Sequence, residues 1–235
     1  MTTGVKKMQD ALRRALQGTI SAVFPQDNLC QLCRCPLCEA GFLCDICQKD
    51  LNAMALPACD QPLFLDALLP RTYAAYRHDG APRALVHRLK YQGISRIAFL
   101  LAEGMAQMYA CAQDDALCCA DLLVPVPLHP KRLRARGFNQ AERLAARLAF
   151  HMGKECCPSA LARIRHTRPQ VGNTGKDRKT NMNGAFAVPN KSLVQGKVIL
   201  LIDDVCTTGA TAIACAEALL QSGAADVMLL TVCKA

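Results

Sequence analysis

Runs of consecutive apolar residues alternate along this chain with stretches in which apolar residues recur at helical spacing. The longest informative run is Val198–Ile202, five apolar residues that predict a strand buried on both faces of a parallel sheet. Asp121–Val126 and Asp226–Val232 predict further strands, and Thr72–Tyr76 and Leu161–Arg165 predict shorter ones. The segments with helical spacing are 82–91, 94–108, 139–148 and 210–220.

Met1–Phe24 also carries apolar residues at helical spacing, with lysines and arginines off the apolar stripe. We therefore predict an amphipathic helix within residues 1–27 that ends near Pro25. Docking on the core or on a partner is the favoured interpretation, and attachment to a membrane surface is the alternative. A linker rich in proline, residues 51–70, separates the cysteine-rich segment from the first predicted strand.

The end of the Val198–Ile202 run carries the strongest chemical signal in the chain. Asp203 and Asp204 follow directly, and a loop of threonines and one glycine, 207–211, leads into the helix at 210–220. Helix N-termini bind anions, and ligands of open α/β sheets bind at the carboxyl ends of strands. The loop lacks the lysine of nucleotide-hydrolase phosphate loops. We predict a sugar-phosphate site, with the loop for the phosphate and the two acids for a sugar diol.

Charge and composition narrow the class of ligand. The net charge is +9, and the stretch 131–179 holds thirteen lysines and arginines against three acids. Such a face attracts polyanions, either pyrophosphate or nucleic acid. Tryptophan is absent and aromatic residues are few, which argues against a broad surface for stacking bases.

The fifteen cysteines indicate a metal site rather than disulfides. We find neither a signal peptide nor an apolar run of ~18 residues, so we expect a cytoplasmic protein with no membrane span. Three C-x₂-C pairs lie close together, at 30/33, 35/38 and 44/47. Two such pairs make a closed Cys₄ zinc site, which is usually structural, but the spacing alone leaves the choice of pairs open.

The motifs together resemble those of the ComF/GntX family, whose members have a type I phosphoribosyltransferase fold. The window 203–211 is similar to the phosphoribosyl-pyrophosphate (PRPP) loop of these transferases. Residues 124–140, VPVPLHPKRLRARGFNQ, nearly reproduce a family motif at the position of the pyrophosphate loop. Residues 170–186 match a further family pattern at the position of the flexible catalytic loop.

The resemblance implies a fold and a set of site residues. The expected fold is an open, mainly parallel sheet flanked by helices, spanning 70–235, with a small zinc-ribbon module at 28–56. The implied zinc ligands are the outer cysteines, and Cys35 and Cys38 are then additional thiols. The implied 5′-phosphate site is formed by Val205, Cys206, Thr207, Thr208, Gly209, Ala210 and Thr211. The implied pyrophosphate site is formed by Arg132 and Arg136, then His129 and Leu128. The remaining implied residues are Asp203, Asp204 and Arg178 for catalysis and Cys30, Cys33, Cys44 and Cys47 for zinc.

The resemblance also implies a function. It points to a protein that binds PRPP with Mg²⁺ and acts in natural competence, handling imported single-stranded DNA, with a DNA-processing or recombination protein as a possible partner. Pentosyl transfer to an unknown acceptor is one form of that function. A non-catalytic PRPP sensor, or a DNA-binding protein using the same basic site, is the alternative. The family has a similar helix ending in Lys-Tyr, which makes Lys90 a candidate ligand contact, although we favour a solvated helix face there.

Overall fold

The computed structural model describes residues 28–39, 41–92, 94–112, 115–165 and 184–235. The predicted helix within 1–27 and most of the predicted catalytic loop, with Arg178, lie outside the described residues. The described strands are β1 (Thr72–Arg77), β2 (Leu122–Pro125), β3 (Glu155–Cys156), β4 (Ala162–Arg163), β5 (Phe186–Ala187), β6 (Val198–Cys206) and β7 (Asp226–Lys234). The described α-helices are α1 (Asp45–Ala53), α2 (Gly80–Gln92), α3 (Ser95–Cys111), α4 (Asp115–Cys118), α5 (Pro130–Arg136), α6 (Gln140–Met152) and α7 (Ala210–Gln221).

Five strands form one sheet in the order β1-β7-β6-β2-β3, and every neighbouring pair is parallel. The apolar run of β6 lies at the centre, where Ile202 is in register with Leu230 of β7 and Pro125 of β2. Strands β4 and β5 form a separate antiparallel pair. The α/β class and the mainly parallel sheet are therefore confirmed.

Each face of the sheet is covered, as continuous apolar strands require. Leu200 and Ile202 of β6 belong to the core that α2, α3 and α6 complete on one face. Ile199 and Leu201 belong to the core on the other face, which α7 and Phe186 of β5 complete. The alternation along β6 places successive side chains on opposite faces, and this alternation continues into the acids that follow.

The structure has one helix within residues 124–140 that the helical spacing of apolar residues does not predict. Residues 130–136 form a helix, α5, with Pro130 in its first turn and Gly137 in the left-handed conformation at its end. Proline is tolerated at the start of a helix, and the lysine, arginine, leucine and alanine that follow are good helix formers. The predicted helical segment that begins at residue 139 is confirmed as α6: Asn139 is its N-cap, and the Asn139 side chain accepts a hydrogen bond from the Ala141 N–H at 3.1 Å.

The cysteine-rich segment packs directly on the α/β core. Leu51 of α1 is buried in the same core as α2 and α3. The Arg88 guanidinium of α2 donates a hydrogen bond to the backbone carbonyl of Gln31 at 2.7 Å, and Gln31 lies between two of the cysteines. The division into segments 28–56 and 70–235 stays a prediction. Within the described ranges, no helix is both long and apolar enough to cross a membrane.

Candidate functional site

The two acids lie within β6 rather than after it. The strand continues to Cys206, because β7 extends beside it and Cys206 is in register with Lys234. Side chains alternate along a strand, so Asp203 and Asp204 leave the sheet on opposite faces. Asp204 shares the face of α2, and Asp203 shares the face of α7. The two carboxylates therefore have different surroundings, although both line the same cavity.

The surroundings of the acids set their electrostatics. The Lys90 ammonium of α2 lies 2.9 Å from an Asp204 carboxylate oxygen, and the Asp204 side chain is 11% exposed. Asp203 has no such close partner among the described ion pairs, although its carboxylate accepts a hydrogen bond from the Asp204 N–H at 2.8 Å. Burial, followed by the neighbouring charge of Asp204, raises the pKa of Asp203 to about 7.

The loop after β6 turns into α7 at Gly209. Its φ of +75° lies in the left-handed region, which favours glycine. A Cβ atom there would also collide with the side chain of Leu65, which comes from the linker segment. The Lys234 ammonium donates to the Thr207 carbonyl at 2.7 Å, which ties the loop to the end of β7. Thr207 and Thr208 are exposed, whereas Cys206 is buried.

A cavity of about 710 Å³ opens at the carboxyl ends of β2 and β6. The acids form part of its wall, and Arg132 and Arg136 from α5 form another part. Leu128 and Thr211 also line it. The structure thus brings the predicted diol acids and the predicted pyrophosphate arginines to one cavity. Residues 205–210 do not contribute to its described lining.

His129 has a different position from that expected for a pyrophosphate contact. It is the N-cap of α5, and its Nδ1 accepts a hydrogen bond from the Lys131 N–H at 3.2 Å. It is not among the described residues that line the cavity. The side chain therefore supports the helix that carries the arginines, and its binding role stays a prediction.

The cavity has two further cationic residues, Arg163, which the sequence analysis did not single out, and Lys90, which it named as a candidate ligand contact without favouring that role. Arg163 of β4 lines it, and burial together with the nearby Arg132 lowers the pKa of Arg163. Lys90 lines it as well, so its side chain does not lie on a solvated helix face. Only the family's Lys-Tyr element marked Lys90, and nothing local to β4 marked Arg163.

The outer cysteines form the candidate metal centre. The sulfur atoms of Cys30, Cys33, Cys44 and Cys47 all lie within 4.8 Å of one another. Cys44 is also the N-cap of α1, so the second pair opens a helix. Four thiolates at this spacing fit a tetrahedral zinc ion. The cluster can therefore hold a metal ion, and its four members are those expected from the family resemblance.

The four cysteines have different environments: that of Cys30 favours the thiolate, whereas burial raises the pKa of Cys47. Burial alone would raise the pKa of Cys30, but backbone hydrogen bonds from Cys33, Cys44 and Leu32 lower it to about 6. Cys35 lies beside the cluster, with its sulfur 3.3 Å from that of Cys33. Cys38 is exposed and belongs to no described cluster of ligands.

Comparison with known proteins agrees with this architecture. Residues 133–235 match the family model described as the phosphoribosyl transferase domain. The chain is 31% identical to the DNA utilization protein YhgH of Salmonella typhimurium over 222 residues, covering 88% of this chain and 97% of that protein. The chain belongs to the ComF/GntX family. It is also 29% identical to the competence protein ComFC of Bacillus subtilis, over 86% of this chain and 81% of that one.

Part of the chain also matches a solved structure, with lower sequence identity than the relatives above. It is the glutamine PRPP amidotransferase of B. subtilis complexed with ADP and GMP, with 18% identity and a TM-score of 0.38. The match covers 57% of this chain and 25% of that one. The relatives named above carry names from competence and DNA utilization, and the family model describes a phosphoribosyl transferase domain. The chain is therefore a phosphoribosyltransferase-like protein of a family related to competence and DNA utilization.

Proposed function

We propose that the cavity binds PRPP with Mg²⁺ and that the protein acts in natural competence, in the handling of imported single-stranded DNA. The observation that carries the proposal is the cavity itself. Asp203 and Asp204 line it together with Arg132 and Arg136. A sugar that carries a diol and a pyrophosphate needs both kinds of group at once, because carboxylates accept from hydroxyls and arginines grip phosphate oxygens in pairs.

The 5′-phosphate would lie at the loop 205–211. Thr211 lies in the first turn of α7 and lines the cavity, so a phosphate bound at this loop would lie next to the cavity. The positive end of the α7 dipole and the N–H groups of its first turn favour an anion there. The glycine turn lets the backbone approach the phosphate closely.

The acids also fit a magnesium ion. Mg²⁺ prefers oxygen ligands and keeps several waters, so one or two carboxylates beside a substrate pyrophosphate are a typical set. Burial and, after it, the charge of Asp204 raise the pKa of Asp203, and a divalent cation beside the two carboxylates would favour the ionised form. Bound there, Mg²⁺ would supply positive charge for the departing pyrophosphate.

The reaction that this arrangement supports is displacement at the anomeric carbon of PRPP. The bond from C1 to the acceptor forms, and the bond to pyrophosphate breaks with its electron pair on the leaving oxygen. Arg132 and Arg136 would hold that charge, and the acids would fix the sugar. We extend the proposal to Arg178 and its loop, which would close over PRPP and exclude water. The proposal names no acceptor.

Titration calorimetry with PRPP and Mg²⁺ tests the binding step. Wild type is compared with Asp203→Asn/Asp204→Asn and with Glu155→Gln, whose exposed carboxylate lies on the edge strand β3. We expect the double variant to lose binding and the control to keep it. Unchanged affinity in the double variant would remove the proposal. A screen for pyrophosphate release with nucleobases, single-stranded DNA and water then separates a transferase from a PRPP sensor.

Single-stranded DNA is a second candidate ligand, favoured by the surface of α5. None of its residues is buried, and Lys131 and Arg134 are exposed outside the cavity. Basic side chains on an exposed helix attract the DNA backbone. We expect Lys131→Glu/Arg134→Glu to weaken DNA binding and to leave PRPP binding intact. Affinity that neither falls in this variant nor depends on salt would contradict a DNA-binding role for α5. If α5 binds single-stranded DNA, we expect a DNA-processing or recombination protein as the protein partner.

A further inference from the structure

The last turn of α2 forms part of the wall of the cavity. Lys90 reaches the acid wall, where its Nζ is 2.9 Å from an Asp204 carboxylate oxygen. The next residue, Tyr91, reaches the arginine wall, where the Arg136 guanidinium lies 5.7 Å from the centre of its ring. Both side chains line the cavity. Consecutive residues of one helix thus contact the two groups between which the sugar and the pyrophosphate would lie.

The cavity has more positive than negative side chains. Its lining includes one lysine and three arginines against two aspartates. Asp204 is nearly buried, and a buried carboxylate without a partner would be costly. The Lys90 ammonium removes that cost in the free protein. Its side chain is 28% exposed against 11% for Asp204, so Lys90 is the more accessible member of the pair, and it lines the cavity that an anion would enter.

We propose that Lys90 is a ligand-binding residue with two positions. In the free protein its Nζ pairs with Asp204. When a sugar diphosphate binds, Nζ donates to the phosphate oxygens and releases the Asp204 carboxylate to the sugar hydroxyls. This inference rests on the proposed function for the identity of the ligand. A flexible four-carbon side chain with a compact charge suits such an exchange, because it can change partner without movement of the helix.

The proposed exchange differs from an alternative role in which Lys90 only blocks Asp204. If Lys90 only blocked Asp204, the ligand would have to break the pair without compensation, and removal of the amine would tighten binding. If Lys90 transfers to the phosphates, removal of the amine costs a charge-assisted hydrogen bond, and binding weakens. Hydrogen bonds to charged groups are strong enough for a loss of about tenfold or more in affinity. The two readings predict changes of opposite sign.

The test compares Lys90→Met with Lys90→Arg and with Lys191→Met. Lys191 is exposed, lies in the short helix 191–193 before the amino end of β6, and does not line the cavity. Calorimetry is run with inorganic pyrophosphate and with PRPP, each with Mg²⁺. We expect Lys90→Met to weaken both ligands at least about tenfold. Lys90→Arg should retain most of the affinity, and Lys191→Met all of it. Equal or tighter binding by Lys90→Met overturns the assignment.

The two ligands separate this inference from the proposed function. Pyrophosphate binding that depends on Lys90, without PRPP binding, would support Lys90 and contradict the proposed function. PRPP binding that does not change in the Lys90 variants would support the proposed function and contradict the role of Lys90. If neither ligand binds, both claims are contradicted. If Lys90→Met fails to fold, reductive methylation of the wild type replaces it. Pyrophosphate should then protect Lys90 and leave Lys191 reactive, and equal reactivity of Lys90 with and without pyrophosphate overturns the assignment.

Discussion

Replacement of Asp203 by Asn should stabilise the free protein, and the gain should grow with pH. Burial and the charge of Asp204 raise the pKa of Asp203 to about 7 in the folded state. In the unfolded chain an aspartate has a pKa of about 3.9. Between these values the folded protein holds a proton that the unfolded chain has released. The stability of wild type therefore falls as pH rises through this window and levels off above pH 7. The Asn variant lacks this decline.

The size of the effect follows from the difference between the two pKa values. About three units at ~1.4 kcal/mol each set an upper bound of roughly 4 kcal/mol above pH 7. The part gained between pH 5 and pH 8 is about two units, or roughly 2 to 3 kcal/mol. The amide oxygen of Asn can still accept the hydrogen bond from the Asp204 N–H, so that contact is kept.

Urea unfolding of the metal-loaded protein at pH 5, 6.5 and 8, without Mg²⁺ or PRPP, measures the gain. Glu155→Gln is the matched control, and as a surface substitution it should stay within about 0.5 kcal/mol of wild type at each pH. The difference between variant and wild type also cancels the effect of pH on the metal site. A gain that is absent, or that is the same at pH 5 and pH 8, would refute the argument from burial and like charge.

Purified under reducing conditions, the protein should contain about one zinc ion, and metal analysis should show its loss in Cys47→Ser but not in Cys38→Ser; zinc in both variants would contradict the assigned ligands. Gly209→Ala should lower the free energy of unfolding by about 1 to 3 kcal/mol, because the new methyl group meets Leu65 and the backbone is left-handed. Gly153→Ala, with a left-handed backbone but open space around it, should cost less in the same urea titration; equal costs would show that the contact with Leu65 is unimportant.

The parts of the site that are local in sequence could be predicted. The apolar run of β6, the acids after it and the start of α7 at Ala210 lie within one short window, so pattern and chemistry agree there. The N-cap at Asn139 is equally local. The choice of the outer cysteines depended on the family, because the inner pair has the same spacing.

The parts that join distant segments could not be predicted. Lys90 and Asp204 are more than a hundred residues apart, and the contact depends on how α2 crosses the end of the sheet. Arg163 comes from a two-residue strand whose partner, Phe186, follows the long loop. The length of β6 was underestimated for the same reason: two acids interrupt its apolar run, and residues 203–206 still form a strand because β7 runs beside them. Tertiary pairing outweighs local propensity in such cases.

The hydrogen bond from Arg88 to the Gln31 carbonyl links the cysteine cluster to the helix that carries Lys90. Gln31 lies between Cys30 and Cys33, two of the four cysteines that would hold a metal ion. Arg88 is two residues before Lys90 in α2. If the ion were removed, the segment around Cys30 and Cys33 would no longer be held by metal ligands. The hydrogen bond that Arg88 of α2 makes to this segment would then be weakened. Loss of the metal would then affect the cavity through one carbonyl and one guanidinium, although none of the four cysteines lines the cavity.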